Sequence, residues 1–175
     1  MDTIKLIPIG ENDKEQFITD IQEAFQKGYE EEYGALEETV LPRKDIESSF
    51  HTIGARAYFA VVGNDVVGGT IIVINEETNC NHLDLLYVKN GCQNKGMGQA
   101  IWKAVEELYP NTKIWETYTP YFEKRNIHFY VNKCGFHIVE FYNQKHKDPH
   151  SKGDTVGGMP VEVGENFFRF KKVMK

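Results

Sequence analysis

The sequence predicts a single α/β (α+β) domain over residues 1–175, with a central mixed, mostly antiparallel sheet flanked by helices. Three observations predict it. Strand-type and helix-type patterns alternate along the whole chain, with no internal repeat or low-complexity tract between them. Ala57–Val62 and Val66–Ile74 are rich in β-branched and aromatic residues and are joined by Gly63-Asn64-Asp65, a hairpin turn, so two antiparallel strands lie side by side. Finally, His82–Leu108 reads as a strand that runs through a glycine-containing loop straight into a helix.

Ile4, Leu6 and Ile7, ahead of Pro8-Ile9-Gly10, predict a first short strand ending in a turn. Asn12 or Asp13 then caps a helix whose buried stripe is Phe17, Ile18, Ile21, Ala24 and Phe25. The acidic segment Tyr29–Glu38 reads as the solvated end of that helix and a loop. Pro42 opens a second helix through Asp45, Ile46, Phe50 and Ile53, which ends near Gly54. After the two hairpin strands, Asn75–Asn81 is a polar turn. In the strand that follows, Leu83, Leu85 and Tyr87 alternate with Asp84, Leu86 and Val88, an apolar run short enough to be buried on both faces. Met97, Ile101, Ala104, Val105 and Leu108 recur at helical spacing, and Pro110-Asn111 stops that helix. Lys113–Tyr118 is a fifth strand, Glu123–Cys134 a helix closed by Gly135, and His137–Tyr142 a sixth strand. Asn143–Gly158 is a polar loop, and Phe167–Val173 is the last strand.

Bulk properties exclude several functions. Net charge is −6 and the sequence pI about 5.5, which disfavours a nucleic-acid partner and welcomes a cationic substrate. No stretch resembles a signal peptide or a membrane span, so no membrane partner and a cytoplasmic location are expected. Cys80, Cys92 and Cys134 are odd in number and form no Cys-x-x-Cys pair, and they read as reduced thiols. His146, Asp148 and His150 share one loop without a supporting shell, so no metal is expected there.

Between the central strand and its helix lies Gln93-Asn94-Lys95-Gly96-Met97-Gly98. Two glycines at a helix start let a bulky anion approach the backbone, where first-turn amides point with the positive end of the helix dipole. Gly91 and Gly96 keep the Walker spacing, but Met97 and Gly98 stand where the lysine and the metal-binding hydroxyl belong. A dinucleotide fingerprint fails as well, at Ile101 and at Thr117-Tyr118.

A strand, then Gln-x-x-Gly-x-Gly, then a helix resembles the acyl-CoA pyrophosphate loop of the GNAT-type N-acetyltransferase superfamily, and the order of elements on both sides agrees over nearly the whole chain. Asn126-Ile-His-Phe-Tyr-Val-Asn-Lys-Cys-Gly-Phe136 resembles that superfamily's second signature. The resemblance implies acetyl-CoA as cosubstrate and a small-molecule or peptide primary amine as acceptor, attacked directly in a ternary complex. It places the cofactor on Gln93, Asn94, Lys95, Gly96, Met97, Gly98 and Gln99. The pantetheine arm falls to the backbone of Leu86, Tyr87 and Val88, where a main-chain amide also meets the thioester oxygen, and to Asn126. Asp84 becomes the candidate base for the amine, with Glu116 second. Tyr130 becomes the candidate acid for the leaving thiolate, although five steps separate it from Gly135 where relatives commonly have four, which keeps Phe129, Tyr121 and Tyr118 in view. In such families the first two helices cover the acceptor, which gives Tyr29–Glu38 a second reading as a lip of that pocket. A homodimer is consistent with the resemblance. Two alternatives stay open: transfer of a longer acyl group, and a catalytically silent acyl-CoA-binding sensor of the same fold.

Overall fold

The computed structural model describes residues 3–93, 96–148, 155–156, 159–160 and 166–175. Its elements, in order, are β1 (Ile4–Pro8), α1 (Lys14–Tyr33), α2 (Arg43–His51), β2 (Ala55–Val62), β3 (Asp65–Val73), β4 (Cys80–Val88), α3 (Met97–Leu108), β5 (Ile114–Pro120), α4 (Lys124–His128), β6 (His137–Tyr142), β7 (Thr155–Val156), β8 (Met159–Pro160) and β9 (Phe167–Val173). Seven strands form one sheet in the order β1-β2-β3-β4-β5-β9-β6, while β7 and β8 pair with each other. Every pairing in the large sheet is antiparallel except β4 with β5. The fold class predicted from the sequence is therefore observed.

Each face of the sheet carries its own core. Helices α1 and α2 press Phe17, Ile21 and Ile46 onto Phe59, Ile71, Leu85 and Tyr87. On the other face, Trp102 and Val105 of α3 meet Ile72, Leu83, Trp115 and Phe170, and the two indole rings contact edge to face at 5.0 Å. Aromatic pairs of this kind add about 1 kcal/mol each beyond the area they bury.

Three local readings are corrected. Ile53 is not part of the α2 stripe: the helix ends at His51, and Ile53 is 97% exposed in the turn leading to β2. Simple alternation also fails in β4, because the β3–β4 register runs from Ile71↔Leu85 to Ile72↔Leu83 and skips Asp84. One extra residue in a strand reverses the facing of everything beyond it. Leu83 and Leu85 accordingly lie in opposite cores, although two residues apart. The third correction concerns the helix expected over Glu123–Cys134: only Lys124–His128 is α-helical, and Phe129–Lys133 form a π turn.

Strand β3 approaches β4 closely because it carries glycines. A Cβ on Gly68 would stand 2.3 Å from the carbonyl oxygen of Tyr87. Gly68→Ala is expected to push the two backbones apart and cost about 2 kcal/mol, as overpacking of a filled interior does. Urea denaturation checks this; an unchanged midpoint would mean that the strands have slack.

Candidate active site

The site begins where β4 and β5 separate. Their pairing comprises Cys80↔Ile114, Asn81↔Trp115 and His82↔Glu116, after which the strands diverge. The hydroxyl of Thr117 donates to the carbonyl of Leu83 at 2.8 Å and closes the apex. Beyond it, β4 continues to Val88 with β3 paired along one edge only. A cleft of about 190 Å³ opens there, with Leu86, Tyr87 and Val88 on one side. Phe25, Gly28 and Tyr29 of α1 and Glu123, Asn126 and Phe129 from the α4 region complete its walls, and Gln93 lies at its rim.

At the head of α3, Gly96 is the cap, with φ +70°, a left-handed conformation that favours glycine. The Ala100 amide bonds the Gly96 carbonyl at 3.0 Å, so the amides of Met97, Gly98 and Gln99 precede the first helical bond. Gly98 has a packing role too, since a Cβ there would stand 3.0 Å from the Phe129 ring. The Gln99 side chain donates to the Lys133 carbonyl at 3.0 Å, and that of Gln93 donates to the Val88 carbonyl at 3.3 Å. Asn94 and Lys95 lie outside the described residues.

The five-residue step from Tyr130 to Gly135 is accommodated by the π turn. The Cys134 amide reaches the Phe129 carbonyl at 3.0 Å, five residues back, and the Phe136 amide bonds Tyr130 at 2.9 Å. Phe129 thus lines the cleft, and Tyr130 turns its ring into the core between Phe136 and Phe170. The Tyr130 hydroxyl sits beside that of Thr117, at the apex. Burial, followed by the nearby Cys134, pushes its phenol well above the ordinary tyrosine range, against a smaller lowering by the Thr117 hydrogen bond.

On the α1–α2 face, the region where β4 and β5 part is polar, beside the apolar Leu85 and Tyr87. Asp84 is half-buried at the bulge, His82 stands across from Glu116, and the His82 ring lies 5.4 Å from that of Tyr118. Burial lowers the imidazole below its ordinary value, while Asp84 and then Glu116 pull it back up. Arg169 spans Glu116 at 2.8 Å and Glu140 at 2.9 Å, and His146 meets Glu140 at 2.8 Å. Burial pushes the Tyr118 phenol up to about 12, with Asp148 and Glu116 adding to it. Glu123, a cleft residue, is also raised by burial, which Arg125 partly opposes. In the sequence, His82 and Glu123 stand only as element boundaries. For His82 the missed signal was an imidazole two residues before Asp84 on an apolar strand.

Tyr29 and Tyr33 of the acidic segment meet the Phe122 ring edge to face, the Tyr33 hydroxyl donates to the Phe122 carbonyl, and Glu31 pairs with Arg125 at 3.0 Å. The end of α1 therefore bridges to the α4 region, while Glu32–Ala35, Glu37 and Glu38 are exposed. Among the described residues no group of three or more His, Cys, Asp or Glu stands where it could hold a metal ion, and His150 lies outside them. No helix among them is long and apolar enough to cross a membrane.

The sequence profile of the Acetyltransferase (GNAT) family matches residues 17–136. The chain belongs to this family. It is 46% identical over 167 residues to the uncharacterized protein YrkN of Bacillus subtilis (strain 168), covering 94% of this chain and 90% of YrkN. A Bacillus subtilis acetyltransferase in complex with CoA shares the fold, with a TM-score of 0.62 and 18% identity over the whole of both chains. Spermidine N-acetyltransferase of Vibrio cholerae, in complex with CoA and spermine, superposes with a TM-score of 0.65 at 12% identity, covering 98% of this chain and 95% of that one.

Gly96→Ala is expected to lower stability by about 1 kcal/mol, the cost of a side chain in the left-handed region. Urea denaturation checks this, and a neutral result would show that the cap relaxes to another conformation.

Proposed function

We propose that the protein transfers an acetyl group from acetyl-CoA to a primary amine, by direct attack in a ternary complex. The observation that carries this reading is the unpaired edge of β4, which begins beside the Tyr130 hydroxyl and runs towards the open amides of α3. The residues present fit the cosubstrate. Amides of Met97, Gly98 and Gln99 face outward at the positive end of α3 and suit a pyrophosphate, with Gln93, Asn94, Lys95 and Gly96 completing the loop by sequence. The backbone of Leu86, Tyr87 and Val88 suits a pantetheine arm as an added strand would, with Asn126 on the opposite wall. Acetyl-CoA, when bound, supplies a thioester carbonyl open to attack and a thiolate leaving group.

Tyr130 is the proton donor to that thiolate. Its raised pKa keeps the phenol protonated throughout the neutral range, so a proton is available when sulfur gains charge. Asp84 serves the acceptor: its carboxylate, at the bulge on the polar face, draws an ammonium group to the apex. A cationic amine is favoured by the carboxylates of Asp84, Glu116 and Glu140 on that face, and by the net charge of −6. The spermidine N-acetyltransferase that shares this fold is consistent with a small-molecule polyamine, and a peptide amine is the other acceptor class.

Thiol release from acetyl-CoA, followed with polyamines, aminoglycosides, amino acids and lysine peptides, tests the reading. Acceptor-dependent release is expected, most strongly with polycations. Acetyl-CoA binding without release on any acceptor would favour the silent sensor. Tyr130→Phe is expected to lower kcat by about 10²-fold or more, in line with loss of a general acid, and to leave acetyl-CoA affinity within about twofold. Equal kcat in the two proteins would remove Tyr130 from the chemistry.

A further inference from the structure

We infer that His82 is the group that takes the proton from the acceptor ammonium, with Asp84 and Glu116 holding the imidazolium that results. The inference rests on the transferase reading of the same site. Position is the first argument. His82 forms the last rung between β4 and β5, so its ring stands on the acceptor face where the gap begins. Partial exposure makes it reachable, and its ring packs against Tyr118. Among the described residues its neighbours are the Tyr118 ring and the carboxylates of Asp84 and Glu116, with no hydrogen bond to either ring nitrogen.

The neighbouring carboxylates are placed to support that role. Glu116, directly across the rung, is bound by Arg169, and so is Glu140, which His146 also meets. Both acids accept a charge-assisted hydrogen bond from the one guanidinium, each through Oε1. Asp84 follows two residues along β4, displaced by the bulge. The charged and titratable groups that meet this face include Asp84 from β4, Glu116 and Tyr118 from β5, Arg169 and Lys171 from β9, His137, Glu140 and Tyr142 from β6, and His146 and Asp148 from the segment after it. Burial holds the imidazole below its ordinary value, so it is neutral and able to accept a proton at pH 7.

The proton balance closes. An N–H bond of the acceptor ammonium breaks as the imidazole N–H bond forms, and the freed nitrogen lone pair makes the bond to the acyl carbon. The C–S bond breaks, sulfur takes its proton from the Tyr130 hydroxyl, and the second proton shed by the new amide nitrogen restores the phenol. The proton on His82 passes to water at the open edge.

His82→Gln in the 175-residue chain tests the inference, with spermidine and hydrazine as acceptors. Spermidine must lose a proton before it attacks, whereas hydrazine, a far weaker base, is already about half neutral near pH 8. The variant is expected to bind acetyl-CoA with wild-type affinity and to lose about 10²-fold or more in kcat/KM with spermidine. With hydrazine the loss should stay within about tenfold. The wild-type kcat/KM falls as pH drops through the lowered value of His82, and this acid limb should vanish in the variant. Equal losses on both acceptors, or an unchanged rate with spermidine, would overturn the assignment while leaving the transferase reading intact. A wild-type protein that binds acetyl-CoA but acetylates no amine would overturn both. If the variant fails to fold, NMR titration of the wild-type imidazole decides: its midpoint should lie below about 6.5, the ordinary histidine value. It should fall further in Asp84→Asn, which removes the carboxylate that raises it. A midpoint unmoved by that substitution would sink the proposal.

Discussion

The site depends on how briefly β4 and β5 meet. Three rungs hold them together, and the Thr117 hydroxyl on the Leu83 carbonyl marks the end of the contact. Buried peptide groups must find partners, so a strand that leaves its neighbour inside a domain exposes hydrogen-bonding groups to whatever fills the gap. In this chain the exposed edge runs past Leu86, Tyr87 and Val88 towards the head of α3. The bulge at Asp84 is tied to the same place. It carries a half-buried carboxylate, and it returns Leu85 and Tyr87 to the α1 core, while the Thr70 hydroxyl satisfies the Leu85 carbonyl at 2.7 Å.

The π turn is the second constraint. A helix that gains a residue must either rotate everything beyond it or widen one turn. Widening at Phe129–Lys133 leaves Gly135 and Phe136 in place to begin β6, with the Lys172 ammonium on the Cys134 carbonyl at 2.7 Å and on Glu106 at 2.6 Å. It also sends two adjacent aromatic residues to different tasks: Phe129 walls the cleft and packs on Gly98, and Tyr130 brings its hydroxyl to the apex. The end of α1 closes the far wall through Tyr33 on Phe122 and Glu31 on Arg125.

The order and type of the elements were legible in the sequence because periodicity reports burial directly: the α1 stripe of Phe17, Ile18, Ile21 and Ala24 is buried, and the hairpin around Gly63 forms. So were the loop at Gly96 and the strand before it, whose glycines have a steric reason. What failed was whatever depends on a partner distant in sequence. The bulge at Asp84 is set by the register against β3, and alternation along β4 alone carries no trace of it. The spacing after Tyr130 showed an extra residue but not whether a bulge or a rotated end would absorb it. Ile53 is apolar yet almost wholly exposed, and no structural reason for that is visible. His82 and Glu123 were missed because their standing comes from burial and from Asp84, Glu116 and Arg125, which only folding brings near.

Amide hydrogen exchange with and without acetyl-CoA tests the central claim most directly, since it reads the parted strand and the α3 amides in one experiment. The account predicts slowed exchange at Leu86–Val88 and at Met97–Gln99 when acetyl-CoA saturates the protein. Saturating binding that leaves both segments exchanging at their free rates would contradict it.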